Sequence, residues 1–313
     1  MLNKDLKITI IGLGVLGGSY AKGFANAGIQ VNAIDVNEES LHIAKENGWI
    51  KEGSSSASFV EDSDVVISCL YPHTFISWLQ ENQHYLKPGC ILTDVTGVKE
   101  VLLEKIHAFL RKDVEFIACH PMAGREASGL SYADEHRFES ANFIIVPVEE
   151  NTEKAILLAR DIAKTLKFKH ISVLTPQEHD RMIGFLSQLT HVIAVSLMNV
   201  ADNPHLVDYT GDSFRDLTRI ANINEKLWPE LFVLNKIPTP KGFRMKKEEW
   251  QRGGEAPLLP CVVKTCCGGS SVGVSIVRKN EEYEKALLDA FLYGDEVVVE
   301  QYIEGREFSV GVM

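Results

Sequence analysis

The sequence predicts a doubly wound α/β sheet, followed by a helical domain and then a short α+β segment. Residues 1–147 alternate short β-branched runs with helical stretches, the order that builds a parallel sheet with helices on both faces. From about 150 to 236 the chain reads as a series of helices. Near Lys236 the pattern changes again, to strand-like runs separated by a proline-containing stretch and a glycine loop. The expected domains are therefore 1–150, 151–236 and 237–313.

Within the first domain, Lys7–Ile11, Val31–Ile34, Val65–Cys69, Cys90–Asp94 and Phe116–Cys119 are near-continuous apolar runs. Strands buried on both faces have this composition. Asn37 has the side chain to cap a helix, and Gly48 is placed to stop it. In the second domain Glu150–Leu166 has helical periodicity, and Pro176 opens a long helix to about Ala201. Ser213–Ala221 and Glu225–Leu234 read as two further helices. In the third segment the expected elements are a strand at Cys261–Lys264, a loop at Gly268–Gly273 and a helix over Glu281–Leu292. Two strands, Val297–Glu300 and Glu307–Val312, complete it.

The run Gly12-Leu13-Gly14-Val15-Leu16-Gly17 follows the first strand and opens a helix. A lone glycine pattern of this kind is weak evidence, but here the context agrees. The first glycine permits the turn, the second lets backbone approach a pyrophosphate, and the third lets helix and strand pack closely. The helix N-terminus favours the phosphate charge. Asp35 ends the second strand, where a carboxylate accepts hydrogen bonds from a ribose diol and repels a 2′-phosphate. A Rossmann-type domain that binds NAD in preference to NADP is the expectation, with Gly12, Gly14, Leu16, Gly17 and Asp35 as its contacts. His120 follows directly on the last strand. The carboxyl ends of such strands face the ligand crevice, so a neutral imidazole there is placed to take a proton from a substrate hydroxyl.

Composition narrows the partners. Lys+Arg 32 against Asp+Glu 43 gives a net charge of −11, with no basic block to meet nucleic acid or an anionic membrane. No apolar run approaches the roughly 18 residues of a membrane span. None of the six cysteines stands in a C-x-x-C pair. Buried thiols in a reducing cytoplasm are expected, with neither disulfides nor a bound metal.

Several segments carry a family resemblance. His120-Pro-Met-Ala-Gly124 with Ser128-Gly129, Asp94-Val-Thr-Gly-Val-Lys99, Glu178-His-Asp180, Ser187-Gln-Leu-Thr-His191 and Phe214-Arg-Asp-Leu-Thr-Arg219-Ile-Ala221 followed by Leu227-Trp228 resemble motifs of the prephenate dehydrogenase family. The resemblance covers roughly residues 1–235. It implies NAD-dependent oxidative decarboxylation of prephenate to 4-hydroxyphenylpyruvate, a step of tyrosine biosynthesis, with arogenate as the alternative substrate. It further implies a helical dimerisation domain and a homodimer. His120 would be the catalytic base, Arg219 the carboxylate clamp, and His191 and Arg125 further substrate contacts. Gly97 stands where relatives carry serine, so Thr96 is the candidate for the missing hydroxyl. Gln188 stands where many have histidine, and Arg125 where threonine is common.

From Ile237 the resemblance changes. Ile237-Pro-Thr-Pro-Lys-Gly-Phe243, Leu259-Pro-Cys-Val-Val-Lys264, Gly268-Gly-Ser-Ser-Val-Gly273 and Val299-Glu-Gln-Tyr-Ile-Glu-Gly-Arg-Glu-Phe308 resemble the central part of D-alanine–D-alanine ligase. A partial ATP-grasp-like segment is implied, with Lys264, Ser270, Ser271, Glu300 and Glu307 as remnants of ATP contacts. A truncated dehydrogenase is expected to meet a ligase fragment near Asn235–Lys236. The ligase part should then be poorly packed, and the preceding helices should lack part of their apolar cover.

Overall fold

A computed structural model describes residues 2–124, 127–200, 205–224, 227–235, 242–252, 259–266 and 273–302. The chain divides into two compact units, meeting in sequence between Ile237 and Pro238.

The first unit is built on an eight-stranded sheet. In chain order its elements are β1 (Ile8–Ile11), α1 (Val15–Asn26), β2 (Val31–Ile34), α2 (Glu38–Glu46), β3 (Gly53–Ser54), β4 (Val65–Ser68), α3 (Pro72–Asn82), β5 (Ile91–Asp94), α4 (Glu100–His107), β6 (Glu115–Pro121), β7 (Asn142–Val146), α5 (Glu153–Thr165) and β8 (His170–Val173). The strand order is β3-β2-β1-β4-β5-β6-β7-β8. Strands β1 to β6 are parallel; β7 runs antiparallel to β6, and β8 parallel to β7. Every residue of β1, β4 and β5 is buried, because helices cover both faces. On one face lie Tyr20, Ala21 and Phe24 of α1 with Ala155, Ala159 and Ile162 of α5. On the other lie Phe75, Ile76 and Leu79 of α3 with Leu102, Leu103 and Ile106 of α4. The Asn37 side chain accepts from the Ser40 amide and caps α2 as expected, and Gly48 follows that helix at φ 70°.

Three strands of this sheet escaped the sequence reading: β3, only two residues long, β7 and β8. β7 is a five-residue run entered from irregular turns, and β8 is a half-exposed edge strand whose weak apolar pattern gives little signal. With β8 in place, α5 packs against the sheet and adds to this layer rather than to the helices that follow.

Those helices are α6 (Pro176–Ile183), α7 (Leu189–Val200), α8 (Leu206–Tyr209), α9 (Asp212–Arg219) and α10 (Leu227–Leu234). Thr175 and Glu178 form a reciprocal capping box at the start of α6. A single π-helical turn, Gly184–Gln188, joins α6 to α7, and α9 packs on α7. Phe185 and Leu186 are 64% and 56% exposed, and Leu189, Ile193, Leu197 and Met198 are also exposed. Here the sequence expectation of no membrane-length segment is corrected. Pro176–Met198 is by length and composition apolar enough to cross a membrane, and is 22% buried. A search for unbroken apolar runs passes over it because polar residues are spaced along the helix.

The second unit is an antiparallel sheet of β9 (Gly242–Lys246), β10 (Cys261–Thr265), β11 (Ser275–Val277) and β12 (Glu296–Gln301), in the order β11-β10-β12-β9. It carries two helices, α11 (Lys247–Gln251) and α12 (Asn280–Ala290). Leu287 and Ala290 of α12, with Phe291, close over Val263, Val277, Val297 and Val299. The expectation of poor packing is therefore not met. Alternate residues of β10 and β12 are buried, and the apolar ones, Cys261, Val263, Val297 and Val299, are enough for the described residues to form a core of their own.

Candidate active site

The glycine turn joins β1 to α1 at the carboxyl end of the sheet. Gly12 sits at φ +90°, a conformation that excludes most side chains. A Cβ on Gly17 would lie 1.8 Å from the Gly12 carbonyl oxygen, so only glycine fits there. Gly14 is different. A Cβ there would meet nothing within 4 Å, which leaves open space over the first turn of α1. Asp35, at the end of β2, accepts the Leu13 amide at 2.5 Å and the Asn37 amide at 2.8 Å. Its carboxylate thus holds the turn and keeps acceptor capacity for a diol. Leu16 is partly buried and packs against the core beneath. An open helix N-terminus bordered by a carboxylate fits a dinucleotide pyrophosphate and its ribose.

His120 stands near the end of β6. Its Nδ1 is 2.8 Å from Nε2 of His179 on α6, and His179 Nδ1 is 2.7 Å from Asp180 Oδ1. Asp180 also accepts the Lys99 amide at 2.8 Å and the Glu100 amide at 2.9 Å, capping α4 from another helix. Burial, then the neighbouring His179 and Lys99, hold the His120 imidazole well below its ordinary range of titration. His179 is likewise lowered, with burial outweighing the carboxylate of Asp180.

Beside this chain lies a buried ion pair. Lys99 Nζ is 2.5 Å from Asp94 Oδ2, and both side chains are 0% exposed. Asp94 also accepts the Thr96 hydroxyl and amide and the Cys119 amide.

The structure sorts the expected site residues. The Thr96 hydroxyl is bonded to Asp94, Val98 O and Lys99. Gly97 is the residue next to the base, where a Cβ would lie 3.8 Å from His120 Cε1 and 3.4 Å from Leu231. His191 lies on α7 with its ring 3.8 Å from that of Trp228 on α10. Gln188, one turn earlier, is buried and bonded to Leu231 O and Asn235. Arg219 closes α9 on an exposed face. Arg125, Ser270, Ser271 and Glu307 lie outside the described residues. Lys264 and Glu300 occupy adjacent strands and pair at 2.6 Å. Among the described residues no cluster of His, Cys, Asp or Glu is placed to hold a metal ion. Sequence reasoning assigned no role to His179, Asp180, Asp94 or Lys99. The signal was present, in charged residues that end an apolar strand and in a His-Asp pair directly after a capping box.

Residues 21–172 match the model of the prephenate dehydrogenase nucleotide-binding domain, and residues 175–251 that of its dimerisation domain. Over this stretch the chain belongs to the prephenate dehydrogenase family. A prephenate dehydrogenase of Bacillus subtilis is 28% identical over 254 residues, covering 78% of this chain and 67% of the relative. The chain thus spans about two thirds of that dehydrogenase's length. The crystal structure of the prephenate dehydrogenase from A. aeolicus in complex with hydroxyphenyl propionate and NAD+ superposes with a TM-score of 0.67 at 29% identity. It covers 74% of this chain and 83% of that one. Residues 235–313 match a different family model, the D-alanine–D-alanine ligase C-terminus. A ligase of Geotalea uraniireducens is 48% identical over 93 residues, which is 26% of this chain and 30% of the ligase. Prephenate dehydrogenase and ligase matches overlap at 235–251.

Proposed function

We propose that the first unit carries out NAD-dependent oxidative decarboxylation of prephenate to 4-hydroxyphenylpyruvate, with arogenate as the alternative substrate. The observation that carries this reading is a neutral, desolvated imidazole, His120, at the same end of the sheet as the glycine turn. When bound there, NAD supplies the hydride acceptor. His120 accepts the proton of the substrate's ring hydroxyl as the adjacent C–H electron pair departs as hydride, leaving a ring ketone. The ring carboxylate then leaves as carbon dioxide, and its bonding electrons enter the ring. The resulting phenolate takes the proton back from His120, so the base is restored each turn. Aromatisation makes the sequence effectively irreversible.

Arg219 is assigned to a substrate carboxylate by the bidentate reach of its guanidinium, and His191, whose ring lies tilted against that of Trp228, to the substrate side of α7. Arg125 is kept as a further contact. Thr96 is reassigned to holding the Asp94–Lys99 pair. The exposed apolar residues of α6, the π turn and α7 fit a homodimer interface better than a bilayer, since they belong to a segment that matches a dimerisation domain. We place the enzyme in the cytoplasm, with no nucleic-acid or membrane partner. The three domains are kept, the first extended to the end of β8.

The test is direct. NADH should form from NAD and prephenate, while ATP with D-alanine should give no NADH. His120→Asn should lower turnover by the roughly 10²–10⁴-fold of a general base, with NAD binding unchanged. Wild-type turnover in the Asn variant removes His120 from the chemistry.

A further inference from the structure

We propose that Asp180 and His179 are positioning residues that lock His120 in a single tautomer, with the proton on Nδ1 and Nε2 left bare. This rests on the reading of His120 as the base.

Lys99 and Glu100 present the first amides of α4, and Asp180 accepts both, one on each carboxylate oxygen. A helix N-terminus favours negative charge, and a carboxylate only accepts hydrogen bonds. The hydrogen in the 2.7 Å contact between Asp180 Oδ1 and His179 Nδ1 therefore belongs to the imidazole. His179 is fully buried, and desolvation keeps it neutral. A neutral ring with its proton on Nδ1 has a bare Nε2. That Nε2 lies 2.8 Å from His120 Nδ1, so His120 must donate. Its own proton is then fixed on Nδ1, and Nε2 is the nitrogen free to act as base.

Each link comes from a different element. β6 holds His120, α6 holds His179 and Asp180, and the N-terminus of α4 fixes the carboxylate. Asn235, just beyond α10, donates to the Asp180 carbonyl oxygen at 3.0 Å. The other charged groups close by, Lys99 and Asp94, neutralise one another. The relay therefore carries no net charge of its own beyond the Asp180 carboxylate that orients it. Without it a neutral imidazole distributes its proton over both nitrogens, since its tautomer is set by the hydrogen bond it makes.

The test uses the full chain with ¹⁵N-labelled histidine imidazoles, observed by NMR in the wild type, His179→Gln and His179→Leu. The wild-type His120 ring should show a protonated Nδ1 and a bare Nε2. Glutamine keeps an acceptor near the position of His179 Nε2, so that variant should retain the tautomer and turn over within about tenfold of wild type. Leucine removes the acceptor. His120 should then show mixed tautomers, and kcat should fall about 10²-fold, the low end for a general base, with KM for NAD unchanged. A wild-type His120 protonated on Nε2 overturns the proposal, as do equal losses of kcat in both variants. If the leucine variant fails to fold, the wild-type spectrum and the glutamine variant decide. A wild-type chain that makes no NADH from prephenate sinks the functional reading, while the tautomer remains measurable.

Discussion

Replacing Lys99 with methionine removes the cation from a pair that water does not reach. Both partners are 0% exposed and 2.5 Å apart, so Asp94 would be left as a buried anion. Removing one partner of such a pair costs about 3–5 kcal/mol. Asp94 keeps three donors, the Thr96 amide at 2.9 Å, the Thr96 hydroxyl at 2.5 Å and the Cys119 amide at 3.0 Å. Those bonds to the carboxylate place the loss at the lower end, about 3 kcal/mol. For a unit of this size each kcal/mol moves Tm by about 2–4 °C, so the variant should melt roughly 6–12 °C lower. Calorimetry of the full chain reads this out, using the transition that added NAD shifts upward to identify the first unit. The double variant Asp94→Asn/Lys99→Met should recover much of the loss, since no lone charge remains. A single variant that melts within about 2 °C of wild type would refute the reasoning. So would a double variant whose loss equals the sum of the two single losses.

Four further outcomes are expected. Gly17→Ala places a Cβ 1.8 Å from the Gly12 oxygen, so it should destabilise the first unit by about 1–3 kcal/mol and abolish NAD binding in a fluorescence titration. Gly14→Ala meets no atom within 4 Å and should weaken NAD binding while leaving Tm nearly unchanged. Asp35→Ala should let NADP compete with NAD, and should weaken NAD itself roughly tenfold or more, because the carboxylate also holds the Leu13 and Asn37 amides; steady-state kinetics with the two cofactors measure both effects. His120 and His179 are held below the ordinary histidine value of 6.5. As pH falls past that value the unfolded chain binds protons the native chain does not, so Tm should decline on the acid side. The acid limb of kcat/KM should likewise lie below 6.5, because His120 works only when neutral.

Much of the first unit was legible in the sequence because a strand buried on both faces leaves an unbroken apolar run. Val31–Ile34 and the strands around it could be read within a residue or two. β8 could not, since His170-Ile-Ser-Val173 is half exposed and lacks that run. The glycine turn and Asp35 were legible because steric demands fix residue type at fixed spacing. The polar network around His120 was not. Asp180 reaches across 81 residues to the Lys99 amide, and no local period encodes a partner that distant. In the second unit the apolar runs of β10 and β12 were visible, but how well a partial sheet closes over one helix depends on packing that no single run displays.

The π turn at Gly184–Gln188 has a consequence for phase. Along an α-helix successive side chains turn by about 100°, so residues 179 and 191 on one straight helix would point about 120° apart. A π turn absorbs one extra residue and brings that offset down to about 20°. The histidine that orients the base and the histidine that lies against Trp228 thereby come to look out from one side of the same rod. Converting this turn to regular α-helix with the chain length unchanged would leave every side chain's chemistry intact but open the offset again to about 120°. The distal half would swing through more than a quarter of a circle and the two imidazoles would no longer share an outlook, whereas deleting a single residue between 184 and 188 would straighten the helix and keep them aligned. The irregular turn acts as a gearing between the two ends of the rod, and its length in residues matters more than its composition.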